Sequence, residues 1–143
     1  MTDQQTARGR RAVACPAWKW MPGMLGCLAS NPKSTIRIVH AGGGLLHHPN
    51  GGVWSDDGVI PVLEDPATLG CLMALAREAL GEPEAHAVKY AYHWGIERHD
   101  SYSEGPQALR HDGAWDATWC ADAVSGLDEP EAWLAALEAA GRR

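Results

Sequence analysis

A chain of 143 residues with 45% hydrophobic and 21% charged side chains can bury a proper core and has the composition of a globular protein. No apolar run approaches the ~20 residues of a membrane helix, and residues 1–11 lack the apolar core of a secretory signal, so a cytoplasmic location is expected. The net charge of −6 is divided by position: residues 1–50 hold six basic side chains against one acid (+5), and residues 51–143 hold six against seventeen (−11).

In a reducing compartment Cys15, Cys27, Cys71 and Cys120 are expected as free thiols, because none sits in a C-x-x-C pair. Residues 1–13 are polar and basic without periodicity and read as a mobile basic tail. Residues 14–143 then form a single globular α+β domain. Pro16, Pro22, Gly23, Gly26 and Pro32 predict turns and a short strand up to Ser34. Ile36 to Val39 is β-branched and apolar and predicts a strand. Gly42-Gly43-Gly44 marks a turn, Leu45 and Leu46 restart a strand, and Pro49 to Gly52 is a further turn before Val53 and Trp54. Asp56-Asp57-Gly58 predicts a hairpin turn leading into Val59 to Leu63. The first half therefore reads as an N-terminal β-meander.

A helix is predicted over 66–80. Asp65 can cap it and Pro66 suits its first position. Leu69, Leu72, Met73, Ala76 and Leu80 recur at spacings of three and four, Gly81 suits a left-handed C-terminal position, and Pro83 forbids continuation. Gly70 inside it is expected to permit a close contact with the sheet. Residues 87–94 alternate as a strand with Val88, Tyr90, Tyr92 and Trp94 on one face. Residues 95–113 read as a long loop, and 114–120 as a second strand pairing antiparallel with the first. Asp128-Glu129-Pro130-Glu131 opens a helix near 129–140, with Trp133, Leu134, Leu137 and Ala140 as its buried stripe and Gly141 at its end. The fold class is α+β: a largely antiparallel sheet with two main helices packed on one face.

The glycine-rich and histidine-containing stretches complete no familiar catalytic motif. Gly42-Gly43-Gly44 has no Gly-Lys-Ser/Thr after it, and His47 stands where G-x-G-x-x-G needs glycine. His40 to Gly44 has the look of an oxyanion-hole loop, but no G-x-S-x-G supplies a nucleophile. No catalytic residue and no cofactor is assigned, and the chain reads as a non-enzyme. His93, His99, Asp100, His111 and Asp112 could form a mixed His/carboxylate metal site for a hydrolase. The plainer reading is solvated loop side chains, and no zinc is expected because no closed four-ligand pattern exists.

The remaining candidate is aromatic and basic. Trp18, Lys19, Trp20, Lys33 and Arg37 could wall a pocket for a planar anionic ligand such as a nucleotide, because indoles stack on bases while cations neutralise phosphate. Such a pocket is expected at an interface of a homo-oligomer. The competing reading puts Trp18 or Trp20 in the core with the lysines merely solubilising. Long nucleic acid is disfavoured by the acidic whole (pI ≈ 5.6).

The stretch Trp20-Met21-Pro22-Gly23-Met24, together with residues 65–72 (DPATLGCL) and the closing 133–140 helix, resembles small phage and prophage proteins of GC-rich bacteria. The second half, helix–strand–strand–helix, is similar to the phage ABA-sandwich domain. The resemblance covers residues 18–140 and carries no catalytic residue. It implies an accessory, counter-defence role in the host cytoplasm: sequestering a nucleotide signal, or, alternatively, inhibiting a nucleic-acid-binding host defence protein through the acidic surface.

Overall fold

The computed structural model describes residues 1–89, 94–98, 107–108 and 128–141. It is α+β with antiparallel pairing throughout the described strands. The strands divide among three small sheets, and the chain divides into two compact units, Met1–Leu72 and Met73–Arg143.

Residues expected as a mobile tail form helix α1, Asp3–Ala14. Its start is a capping box: the Thr2 hydroxyl accepts from Gln5 N at 3.1 Å, and Thr2 N donates to the Gln5 side chain at 2.8 Å. Tertiary contact completes it. Arg8, Gly9 and Ala12 are buried, and Arg8 meets the Glu64 carboxylate at 3.4 Å.

The first unit contains two sheets. Strands β1 (Leu25–Leu28), β2 (Asn31–Arg37) and β6 (Val59–Pro61) form one, in the order β2-β1-β6. Strands β3 (His40–Gly42), β4 (Leu45–His47) and β5 (Val53–Ser55) form the other as a three-strand meander. The turn between β3 and β4 is Gly43-Gly44, with φ of 60° and 80°, a two-residue hairpin whose left-handed positions favour glycine. Asp56-Asp57-Gly58 is a turn as expected, closed by Val59 N to Asp56 O at 3.1 Å. It joins the two sheets rather than the arms of one hairpin.

Helix α2 spans Pro66–Leu80, as the sequence predicts, because both its ends are written locally. Asp65 accepts from Thr68 N at 3.0 Å. At the far end Gly81 takes a φ of 67°, Gly81 N bonds Glu78 O and Glu82 N bonds Arg77 O, a Schellman arrangement. The buried face is Thr68, Leu72, Leu75, Ala76 and Leu80, with Leu69 and Met73 half-buried at its margin.

Asp65 does more than cap. Arg37 donates to both its oxygens, at 2.8 and 2.9 Å, and to Gly23 O at 2.9 Å. The Thr68 hydroxyl donates to Asp65 Oδ2 at 2.9 Å and accepts from Leu25 N at 2.8 Å. One carboxylate thus joins β2, the entry to β1 and the start of α2.

In the second unit, β7 (His86–Lys89) pairs antiparallel with β8 (Trp94–Arg98), and β8 with β9 (Gln107–Ala108). This corrects the expected loop over 95–113: residues 94–98 are a strand, and Trp94 begins the strand that returns along β7. Residues 90–93 and the strand expected at 114–120 lie outside the described residues. Helix α3, Glu129–Ala140, packs on β7 and β8. Asp128 caps it, accepting from Glu131 N at 3.2 Å, and Trp133, Leu134 and Leu137 are buried as expected. Gly141 ends it in right-handed geometry, at φ −68°. Arg77 donates to Ala85 O at 2.8 Å and lies over the buried Trp133 ring at 5.3 Å.

The glycine that permits close packing is not Gly70, which is exposed and whose Cβ would meet nothing within 4 Å. It is Gly9, where a Cβ would stand 2.9 Å from Pro61 O and 3.1 Å from the Ile60 side chain. Alanine gains roughly 1 kcal/mol of helix propensity at either site. At Gly9 an overpacking cost of about 1–3 kcal/mol opposes it. Gly70→Ala is therefore expected to raise the urea midpoint and Gly9→Ala to lower it; equal shifts from both would refute the close approach of α1 to β6. Leu72→Asp, placing an unpaired charge at a fully buried position, is expected to abolish cooperative unfolding.

The Asp65 carboxyl is held down at about 2, from an ordinary 3.8, chiefly by the Arg37 hydrogen bonds and then by Thr68 against the opposing effect of burial. A depressed carboxyl stabilises the fold fully above the unfolded value and loses that contribution as pH falls through the folded one. The effect is at most about 2 kcal/mol, reduced because the Arg37 side of the pair meets water. Wild-type stability is expected to drop more steeply than that of Arg37→Met between about pH 4 and pH 2. Parallel pH profiles in urea denaturation would show that this pair contributes nothing.

Candidate functional site

A cleft of about 780 Å³ opens within the first unit. Arg10 and Val13 reach it from the last turns of α1. They stand three residues apart and so share a face of that helix. Trp18, Lys19 and Trp20 border it from the segment that leaves α1, which begins with a turn bonding Trp18 N to Cys15 O at 3.0 Å. Its other lining includes Gly44 and Leu45 from the β3–β4 hairpin and the Asp56-Asp57-Gly58 turn. Two backbone bonds fasten these turns: Asp56 N to Gly44 O at 2.9 Å, and Ala29 N to Gly58 O at 2.9 Å.

The two indoles meet edge to face, with centroids 5.5 Å apart and planes at 86°. Both are half-buried, so neither is wholly core nor wholly surface. The Trp20 ring lies over Gly26, where a Cβ would come within 3.4 Å of it and 2.9 Å of Val59. Glycine on β1 is what lets that ring settle against the sheet. The Trp18 Nε1 is buried and has no hydrogen-bond acceptor among the described residues. An unmet buried donor costs about 1–3 kcal/mol, which an incoming oxygen would recover.

The five residues singled out in the sequence do not come together as a set. Trp18, Lys19 and Trp20 border the cleft. Lys33 is exposed on β2 and is not part of the lining. Arg37 is committed to Asp65 and Gly23 O, so its charge is already neutralised. The reason is distance along the chain: nothing near Arg37 in sequence announces Asp65.

Sequence reasoning missed Arg10, Asp56 and Asp57 as lining residues. The capping box Thr2-Asp3-Gln4-Gln5 was the available signal for a helix that would carry Arg10. The lining is therefore of mixed sign, with Arg10 and Lys19 against Asp56 and Asp57, rather than a basic wall.

The other candidates contribute less. His93, His99, Asp100, His111 and Asp112 lie outside the described residues. Among the described residues no three His, Cys, Asp or Glu side chains are grouped to hold a metal, and the His40 and His47 rings, paired across β3 and β4 at 5.1 Å, are two only. Cys15, Cys27 and Cys71 are free thiols, and burial pushes the Cys27 and Cys71 thiols up, away from nucleophilic thiolate. Cys120 lies outside the described residues. No described helix is long and apolar enough to cross a membrane.

No protein-family model matches the chain, and neither a curated protein nor a solved structure does.

Proposed function

We propose that this chain is a non-enzymatic binding protein that sequesters a small anionic, nucleotide-like ligand in the cleft bordered by Trp18, Lys19 and Trp20. The observation that carries the reading is the convergence of both tryptophans with the cations Arg10 and Lys19 on one cleft. A base stacked on an indole contributes roughly 1–3 kcal/mol without demanding a particular sequence or substituent. The phosphate supplies the anion for the two cations. In the setting implied by the resemblance to phage proteins, removing a nucleotide signal from a bacterial host would serve counter-defence.

A ligand that binds only the folded state raises its stability by about 2.7 kcal/mol at a hundredfold excess over Kd. Melting curves with a panel of nucleoside monophosphates and cyclic dinucleotides are expected to show an upward shift for at least one, with quenching of tryptophan fluorescence. The parent nucleosides, lacking phosphate, are expected to shift it less. Arg10→Ala with Lys19→Ala changes two exposed side chains, and is expected to remove the shift while leaving the unliganded melting temperature close to wild type. No shift across the whole panel would sink this reading and bring forward the alternative, an inhibitor that presents acidic surface to a nucleic-acid-binding host protein.

A further inference from the structure

We infer that the cleft selects guanine, the donor edge of the base lying at the Asp56–Asp57 turn and the phosphate at Arg10 and Lys19. The inference rests on the proposed nucleotide function and adds the identity of the base. Two cations and two carboxylates border the same cleft, so a purely anionic ligand would gain at one side and lose at the other. Neither the Arg10 guanidinium nor the side-chain carboxylates of Asp56 and Asp57 form a hydrogen bond or ion pair with a described residue. A guanidinium and two carboxylates that share a cleft without neutralising one another fit a ligand of two unlike ends.

A carboxylate only accepts hydrogen bonds. The matching end of the ligand must therefore present donors side by side. Among the bases, guanine alone offers two adjacent donors, N1–H and the N2 amino group, to the two oxygens of one carboxylate. Adenine sets its N6 donor beside the N1 lone pair, and cytosine its N4 donor beside N3, so each would bring a lone pair against the carboxylate. Uracil has a single N3–H between two carbonyls. The protein end of this contact is fixed in advance: Asp56 is pinned by its own N–H to Gly44 O and by Val59 N on its carbonyl, which leaves the side-chain oxygens unengaged. The buried Trp18 Nε1 asks for an acceptor, and guanine supplies O6 as well as phosphate oxygens.

The test compares GMP with AMP, CMP and UMP, and cyclic di-GMP with cyclic di-AMP, by titration of tryptophan fluorescence on wild type and on Asp56→Asn/Asp57→Asn. The expected result is a preference for the guanine member of at least about tenfold in Kd, the size of one good bidentate contact. The double variant is expected to lose that preference by weakening the guanine ligand, while adenine ligands bind no worse. Equal binding of all bases, or a preference that survives the double variant, overturns the inference and leaves the nucleotide reading standing. No binding by any of these ligands overturns both.

Discussion

The first unit depends on one carboxylate. Asp65 Oδ2 accepts from Arg37, from Thr68 N and from the Thr68 hydroxyl, and Oδ1 accepts from Arg37 again. Each bond does a separate structural task. The Thr68 amide bond starts α2, the Thr68 hydroxyl passes the connection on to Leu25 at the head of β1, and Arg37 ties the end of β2 to the same point. Charge-assisted hydrogen bonds are about twice as strong as neutral ones, and here several converge where the chain changes direction. Arg37 also holds Gly23 O, three residues beyond Trp20. The segment that carries the tryptophans is therefore anchored at its end by the same node, and Gly26 then gives the Trp20 ring its seat.

The N-terminal helix supplies the opposite wall. Its polarity would leave it marginal as an isolated peptide, since short helices gain most of their stability from packing. Gly9 lets it approach β6 closely, and the buried Arg8 finds Glu64 across the sequence. A partly buried pair of this kind is weak as a source of stability, but losing Glu64 would leave the buried Arg8 charge uncompensated, so the pair fixes the position of the helix more than it raises the melting point. That position delivers Arg10 and Val13 to the cleft.

These two contacts change the meaning of the charge split. The basic third of the chain looks like a cationic surface, yet Arg8 and Arg37 are matched by Glu64 and Asp65 from the acidic part. Folding brings the halves of the charge pattern together. What remains at the cleft is a mixture of both signs, and a mixed lining discriminates among ligands in a way that a uniformly basic one does not.

Signals that act within four or five residues were enough for some of this. Asp65 and Gly81 bounded α2, Asp128 opened α3, and Gly43-Gly44 set the hairpin between β3 and β4, because caps and tight turns are satisfied by neighbouring backbone. The Trp18-Lys19-Trp20 cluster was equally plain, and it does border the cleft. The Thr2 capping box was legible too, but the absence of an apolar stripe concealed its helix. The sequence could not show which cation faces the cleft and which is consumed in the fold. Arg37 and Asp65 are 28 residues apart, and Arg8 and Glu64 are 56 apart. Such pairs exist only after the sheets have formed, and so do the division of the strands among three sheets and the return of β8 along β7. By itself the sequence determined the helices with local caps, the turns and the aromatic pair; tertiary structure alone decided the charge of the site, because charge neutralisation acts through space rather than along the chain.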